Sequence, residues 1–110
     1  MGEVKELKEV PESAAGLKEA GNQAYQQGNY EEALALYTRA ISLCGEDETR
    51  EKSTYYKNRA AVYLKQENYQ SVVADCSLSL ELTPNDAKAL YRRCLAHKAL
   101  GIIKLSLIHI

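Results

Sequence analysis

The 110-residue sequence contains no tryptophan, no phenylalanine, only two prolines and no long apolar run. A membrane-spanning helix needs about 18 or more consecutive apolar residues, and no segment provides them, so we expect no contact with a membrane. The first ten residues alternate charged and aliphatic side chains and lack the apolar segment of a secretory signal. We therefore predict a cytoplasmic protein.

An excess of charge of one sign is also missing. Lys and Arg total 14, Asp and Glu total 15, and the formal net charge is -1. Proteins that bind the phosphate backbone of nucleic acids need a surplus of cations, so we do not expect nucleic-acid binding. The 45% of hydrophobic and 26% of charged residues are typical of a folded globular chain, and the length allows one domain.

The cysteines are few, odd in number and widely spaced, at Cys44, Cys76 and Cys94. A small secreted scaffold would have an even and denser set, so we interpret these thiols as reduced. Cys94 and His97 are close enough in sequence to share a metal, but both occupy positions of the apolar seam of the repeat described next. We predict that they pack in the core, and we expect neither a metal nor a cofactor.

What the sequence does contain is an internal repeat. The segment Gly-Asn-Tyr-Glu-Glu-Ala at 28–33 returns as Glu-Asn-Tyr-Gln-Ser-Val at 67–72, and Gly21 and Ala60 are likewise 39 positions apart. Cys94 follows Ala60 by 34 positions. A period in the thirties is typical of stacked helix pairs. Two and a half copies of the unit predict an all-α helical solenoid of five helices.

Polar residues suited to capping precede four of these helices, and Pro84 ends the fourth helix because it lacks an amide donor. The expected N-caps are Ser13, Asn29, Asn68 and Asp86. Asn29 followed by Glu32 has the spacing of a capping box.

The first helix of each pair lines the concave groove of such a solenoid, so the polar residues on these helices are candidates for ligand binding. Residues four apart lie on one helix face, which groups Lys18 with Asn22, and Lys88 with Arg92. Asn58 lies on the third helix. Together these side chains would form a local anion site in a nearly neutral protein, although each one alone could equally be a solvated surface residue.

The pattern of small and large residues resembles the tetratricopeptide repeat from about Ala14 to Gly101. The matching positions are Gly21, Ala33, Ala40 and Ala60, which are small, Tyr37 and Tyr63, which are large, and Pro84. The five polar candidates match the carboxylate clamp of tetratricopeptide co-chaperones. The segment 88–101 looks most like the N-terminal repeat domain of the myosin-directed UCS chaperone family.

The resemblance implies binding of the Glu-Glu-Val-Asp tails of heat-shock protein 90 and heat-shock protein 70, with myosin as an indirect partner. It implies that the terminal carboxylates are held by Lys18, Asn22, Asn58 and Lys88, and that Arg92 binds near the penultimate acidic residues. It also implies a secondary groove in which Ala61 and Leu64 border the valine and Lys65 meets an upstream glutamate.

The family pattern breaks after Gly101, where residues 102–110 are short and very apolar. We divide the chain into a flexible N-terminal tail at 1–13, a repeat domain at 14–101 and an atypical apolar tail at 102–110. The atypical tail suggests a shortened or alternatively ended product. The apolar tail is expected either to fold back over the exposed seam or to behave as an aggregation-prone strand.

These patterns predict a non-enzymatic peptide-binding adaptor. The sequence has no glycine-rich phosphate loop and no metalloprotease or hydrolase motif. The alternative is a structural module that self-associates through the incomplete third repeat and the apolar tail. An enzymatic interpretation remains only by analogy with prolyl isomerases and phosphatases that carry such repeats.

Overall fold

Five α-helices make up the residues that the computed structural model describes, 13–108, and this part of the chain contains no strand. The predicted all-α solenoid of five helices is therefore confirmed. The helices are α1 (Ala14–Gln26), α2 (Tyr30–Leu43), α3 (Thr49–Lys65), α4 (Tyr69–Leu82) and α5 (Ala87–Ile108). Each helix packs on its neighbours in sequence, and α3 also touches α5. The predicted N-terminal tail lies outside the described residues except for Ser13.

Three of the four predicted N-caps are confirmed. A side-chain oxygen accepts a hydrogen bond from the backbone N–H three residues later at Ser13 (3.0 Å), Asn68 (3.4 Å) and Asp86 (3.0 Å). The capping box at Asn29 is wrong, because this side chain makes no cap bond and its Nδ2 instead donates to Gln27 Oε1 at 3.3 Å.

The helices α1 and α3 end with the same backbone geometry. The residue after each helix cap has a left-handed conformation, with φ of 80° at Gly28 and 60° at Glu67. The next backbone N–H then reaches back to a carbonyl five residues upstream, at 2.8 Å from Asn29 and 2.9 Å from Asn68. This is the Schellman arrangement, and the repeat keeps it even where glycine is replaced by glutamate.

Close helix approach depends on small residues in the seams. Ala33, Ala40 and Ala60 are fully buried, as predicted, and a Cβ built on Gly21 would lie 2.7 Å from Tyr37 Cε1. Cys76 is also fully buried in the seam, and this burial raises the pKa of its thiol to about 11.

The predicted core positions of Cys94 and His97 are wrong, because both residues are exposed. The reason is that no helix follows α5 within residues 13–108 to cover this side of it.

The helix α5 does not end at Gly101 but continues to Ile108. Between Gly101 and Ile108 the apolar segment therefore neither folds back over the seam nor forms a strand. A glycine inside a helix costs only about 1 kcal/mol relative to alanine and no proline follows, so the helix is not interrupted. Leu105 and Leu107 remain exposed.

Candidate peptide-binding groove

A groove of about 210 Å³ opens between the first helices of the three repeats. It is lined by Asn22, Tyr25 and Gln26 of α1, Tyr37 of α2, Asn58 and Ala61 of α3, and Arg92 of α5. Four of the eight predicted site residues therefore meet at one place. They are contributed by three helices that are far apart in sequence, as the stacking of helix pairs requires.

The Asn22 amide is oriented by a buried tyrosine. The Tyr37 hydroxyl donates a short hydrogen bond to Asn22 Oδ1, and the Tyr37 side chain is only 2% exposed. Burial raises the pKa of Tyr37 to about 12, so the hydroxyl stays protonated and remains a donor at neutral pH. Because Oδ1 is occupied, the NH₂ group of Asn22 is left to donate to a ligand.

Arg92 is held against α3. Its Nη1 donates to the backbone carbonyl of Lys57 at 3.1 Å, and the side chain is half-buried. A guanidinium has five N–H donors, so this bond leaves most of its donors for an anion in the groove. Asn58, the next residue in α3, lines the groove beside it.

An ion pair fixes the start of α5 on α3. Lys57 Nζ contacts Asp86 Oδ2, with side-chain exposures of only 16% and 19%, while Asp86 Oδ1 accepts from the Ala89 N–H. Burial alone would raise the pKa of Asp86, but the hydrogen bonds from Lys57 and Ala89 outweigh it, and the pKa lies below its ordinary value. This pair sets the position from which Lys88 and Arg92 extend.

The other four predicted residues do not line the groove. Lys18 is half-buried, with Nζ 3.4 Å from Glu19 Oε2, and Lys88 and Lys65 are exposed. Leu64 packs against the core cluster formed by α3, α4 and α5. Lys18 and Lys88 nevertheless lie one helical turn from Asn22 and Arg92, which places them at the edge of the groove.

Sequence reasoning missed Tyr25 and Gln26 as groove residues and assigned Tyr37 only to packing. A signal for Gln26 was available, since it follows Asn22 by four positions and shares its helix face. For Tyr37 the signal was chemical, because a buried tyrosine hydroxyl needs a polar partner.

A second unpredicted pair joins α3 to α4 outside the groove. Arg59 Nε and Nη2 donate to the two oxygens of Asp75 at 2.7 and 2.8 Å. This hydrogen bonding raises the pKa of Arg59, although burial works against it. Nη1 of the same arginine donates to Thr38 Oγ1 at 3.0 Å, so one side chain links three helices.

The described residues 13–108 contain no group of three or more His, Cys, Asp and Glu side chains that could hold a metal ion. Within the same range, no helix is long and apolar enough to cross a membrane.

The stacked helix pairs and their sequence period are typical of helical repeat proteins, and a comparison with family models supports this class. The family model of the tetratricopeptide repeat matches residues 12–74. The chain belongs to the tetratricopeptide-repeat family.

Two curated relatives illustrate the similarity. The rat mitochondrial import receptor subunit TOM70 is 41% identical over 87 residues, which cover 79% of this chain and 14% of the receptor. Protein unc-45 homolog B of Danio rerio is 40% identical over 85 residues, which cover 77% of this chain and 9% of that protein. The chain thus spans only a small part of the length of these relatives.

Solved structures show the same fold with peptides bound. The C. elegans myosin chaperone UNC-45 in complex with an Hsp90 peptide superposes with a TM-score of 0.78 and 34% identity, over 83% of this chain and 10% of UNC-45. The second repeat domain of Spaghetti (RPAP3), bound to the HSP90 peptide SRMEEVD, gives 0.73 and 33%, over 83% of this chain and 80% of that one.

Proposed function

We propose that this chain is a non-enzymatic adaptor that binds the Glu-Glu-Val-Asp tail of heat-shock protein 90 or heat-shock protein 70 and acts as a co-chaperone in the cytoplasm. The observation that carries the proposal is the convergence of Asn22, Asn58 and Arg92 in one groove. The peptides bound to the similar domains of UNC-45 and Spaghetti support the same class of ligand. A role in myosin folding would be indirect.

The chemistry of the groove suits a chain-terminal aspartate. Such a residue has two carboxylates, and a carboxylate leaves water only if cations and hydrogen-bond donors replace its hydration. Asn22 and Asn58 supply amide donors without adding charge. Lys18 and Lys88 lie at the groove edge, and their long flexible side chains can reach the terminal pair of carboxylates.

Arg92 is the residue that we assign to the penultimate acidic part of the peptide. Its bond to the Lys57 carbonyl fixes the guanidinium before the ligand arrives. Ala61 lines the groove and offers a small apolar surface for the valine. Lys65 is exposed and available to an upstream glutamate of the peptide. Leu64 is half-buried, so only the exposed part of its side chain could border the valine.

The test is calorimetry with a free-acid Glu-Glu-Val-Asp peptide. A short peptide buries little surface, so we expect a dissociation constant in roughly the micromolar range that weakens with added salt. Amidation of the peptide terminus removes one carboxylate charge and should weaken binding sharply. Lys88→Ala should cost about 2 kcal/mol or more of binding free energy.

Lys98→Ala is the matched control, because Lys98 is also an exposed lysine of α5 but, unlike Lys88, does not lie one helical turn from Arg92. It should bind the peptide like the unmodified chain. Equal affinity for the acid and amide peptides would contradict the proposal.

Self-association is the alternative function, and the exposed Ile102, Leu105 and Leu107 favour it. Light scattering of the chain with and without residues 102–110 tests it. A dimer that disappears with this segment would support self-association, and a monomer in both cases would exclude it.

A further inference from the structure

Glu19 occupies the position in the first repeat that two groove residues occupy in the later repeats. Asn58 follows Glu19 by 39 positions, and Arg92 follows Asn58 by 34, which are the two spacings of the repeat. Both Asn58 and Arg92 line the groove. Because equivalent residues of stacked repeats share one face, Glu19 places a carboxylate on the groove side of α1.

The raised pKa of Tyr37 supports this placement. Burial is its main cause, followed by the nearby Tyr25. Glu19 raises the same pKa further, whereas Arg92 lowers it. A charge shifts the pKa of a group that lies close to it, so Glu19 and Arg92 both lie near the hydroxyl that orients Asn22.

Glu19 forms an ion pair with a lysine that we assign to the peptide carboxylates. Lys18 Nζ lies 3.4 Å from Glu19 Oε2, and the side chains are 28% and 66% exposed. A charge-assisted N–H···O bond is shorter, about 2.7–2.9 Å, so this is a loose ion pair in contact with water. The pair holds the lysine on its own helix in the free protein but costs little to open.

The equivalent lysine of the second repeat has a different kind of partner. Lys57 follows Lys18 by 39 positions, and its ammonium contacts Asp86 in a pair whose side chains are only 16% and 19% exposed. Asp86 also caps α5, so this pair is a fixed part of the fold. Of the two ion pairs, the exposed one at Lys18 is the one that can exchange its carboxylate for that of a ligand.

We propose that Glu19 limits the affinity of the groove, because its carboxylate competes with the peptide for Lys18. The inference rests on the function proposed above and deepens it. An arriving terminal carboxylate takes the Lys18 ammonium from Glu19 and then lies beside a group of like charge. Both effects weaken the complex, so Glu19 keeps the binding of acidic tails readily reversible.

The test compares Glu19→Gln with the unmodified chain by calorimetry, with the free-acid Glu-Glu-Val-Asp peptide as the probe. Glutamine keeps the size and the helix propensity of glutamate and removes its charge. We expect the affinity to rise about threefold, which is within the range of exposed ion pairs. The gain should be smaller with the amidated peptide, which has one carboxylate less. A merely structural role of Glu19 would not produce a gain that depends on the charge of the ligand.

Two further variants isolate the competition. In a chain that carries Lys18→Met, there is no ammonium to release, so Glu19→Gln should bring a much smaller gain. The binding of these two weaker variants is measured by titration followed by nuclear magnetic resonance. Glu32→Gln is the matched control, because Glu32 is also exposed but lies on α2, the second helix of its repeat. It should leave the affinity unchanged.

If the unmodified chain binds the free-acid peptide and Glu19→Gln binds it no more tightly, the inference is overturned while the proposed function stands. An equal gain in Glu32→Gln, or an undiminished gain in the Lys18→Met chain, would also overturn it. If the unmodified chain does not bind the peptide, the proposed function itself fails and the inference fails with it.

Discussion

Gly21→Ala tests whether the contact between α1 and α2 is as close as the structure indicates. In an open helix position, alanine stabilises by about 1 kcal/mol relative to glycine. At Gly21 the new methyl group would lie 2.7 and 2.9 Å from two ring carbons of Tyr37, closer than real Cβ contacts. The ring is buried and its hydroxyl is bonded to Asn22, so it has little freedom to move away.

Overpacking of this kind costs about 1–3 kcal/mol. In the upper part of this range, the cost is larger than the gain of about 1 kcal/mol from the better helix propensity of alanine. We expect a net loss of about 1–2 kcal/mol in the free energy of unfolding. The assay is urea unfolding followed by far-ultraviolet circular dichroism. A displaced Tyr37 should also release the Asn22 amide, so the affinity for the Glu-Glu-Val-Asp peptide should fall as well.

Gly101→Ala is the matched control, since nothing lies within 4 Å of a Cβ at this helical position. It should leave stability unchanged or raise it by up to about 1 kcal/mol. If Gly21→Ala behaved like Gly101→Ala, the close approach of α1 to the Tyr37 ring would be refuted.

Two further predictions concern helix ends. Glu67→Gly should raise the free energy of unfolding by about 1 kcal/mol, because glutamate is strained at a φ of 60°. Gly28→Ala should lower the free energy of unfolding by a similar amount. The urea midpoints of both variants measure these changes, and a loss of stability in Glu67→Gly would contradict this reasoning. The pKa of Asp86 lies below its ordinary value of 3.8, so its ion pair with Lys57 stabilises the fold above that pH and is lost as the pH falls through the lowered pKa. The stability difference between the unmodified chain and Asp86→Asn should therefore shrink on acidification below about pH 4, and a difference that stayed constant with pH would exclude this role.

The helices and most caps could be predicted because they depend on local sequence. The 39-residue repeat and the polar residues Ser13, Asn68 and Asp86 specify where helices begin, and each cap bond is made within three residues. The cap predicted at Asn29 does not form, because the Asn29 side chain bonds to Gln27 through its Nδ2 and its oxygen accepts no backbone N–H of α2.

The candidate site was predictable in part. Helix register brings Asn22, Asn58 and Arg92 together, because equivalent faces of stacked repeats share one groove. The hydrogen bonds that orient these side chains come from Tyr37 and from the Lys57 carbonyl, and both cross between helices. Such contacts depend on the distance between helix axes, which the sequence pattern does not give. The extension of α5 past Gly101 was not predicted, because the family pattern on which the boundary rested breaks after this residue.

The bond between Tyr37 and Asn22 couples the interior of the domain to its ligand surface. The phenol ring belongs to the apolar layer between the helices, while its oxygen fixes the direction of an amide in the groove. Folding thus creates a rigid receptor in advance, and a ligand does not have to immobilise this amide when it arrives. A substitution of Tyr37 that keeps the ring but removes the hydroxyl oxygen would preserve the helix packing and weaken only the binding of the peptide.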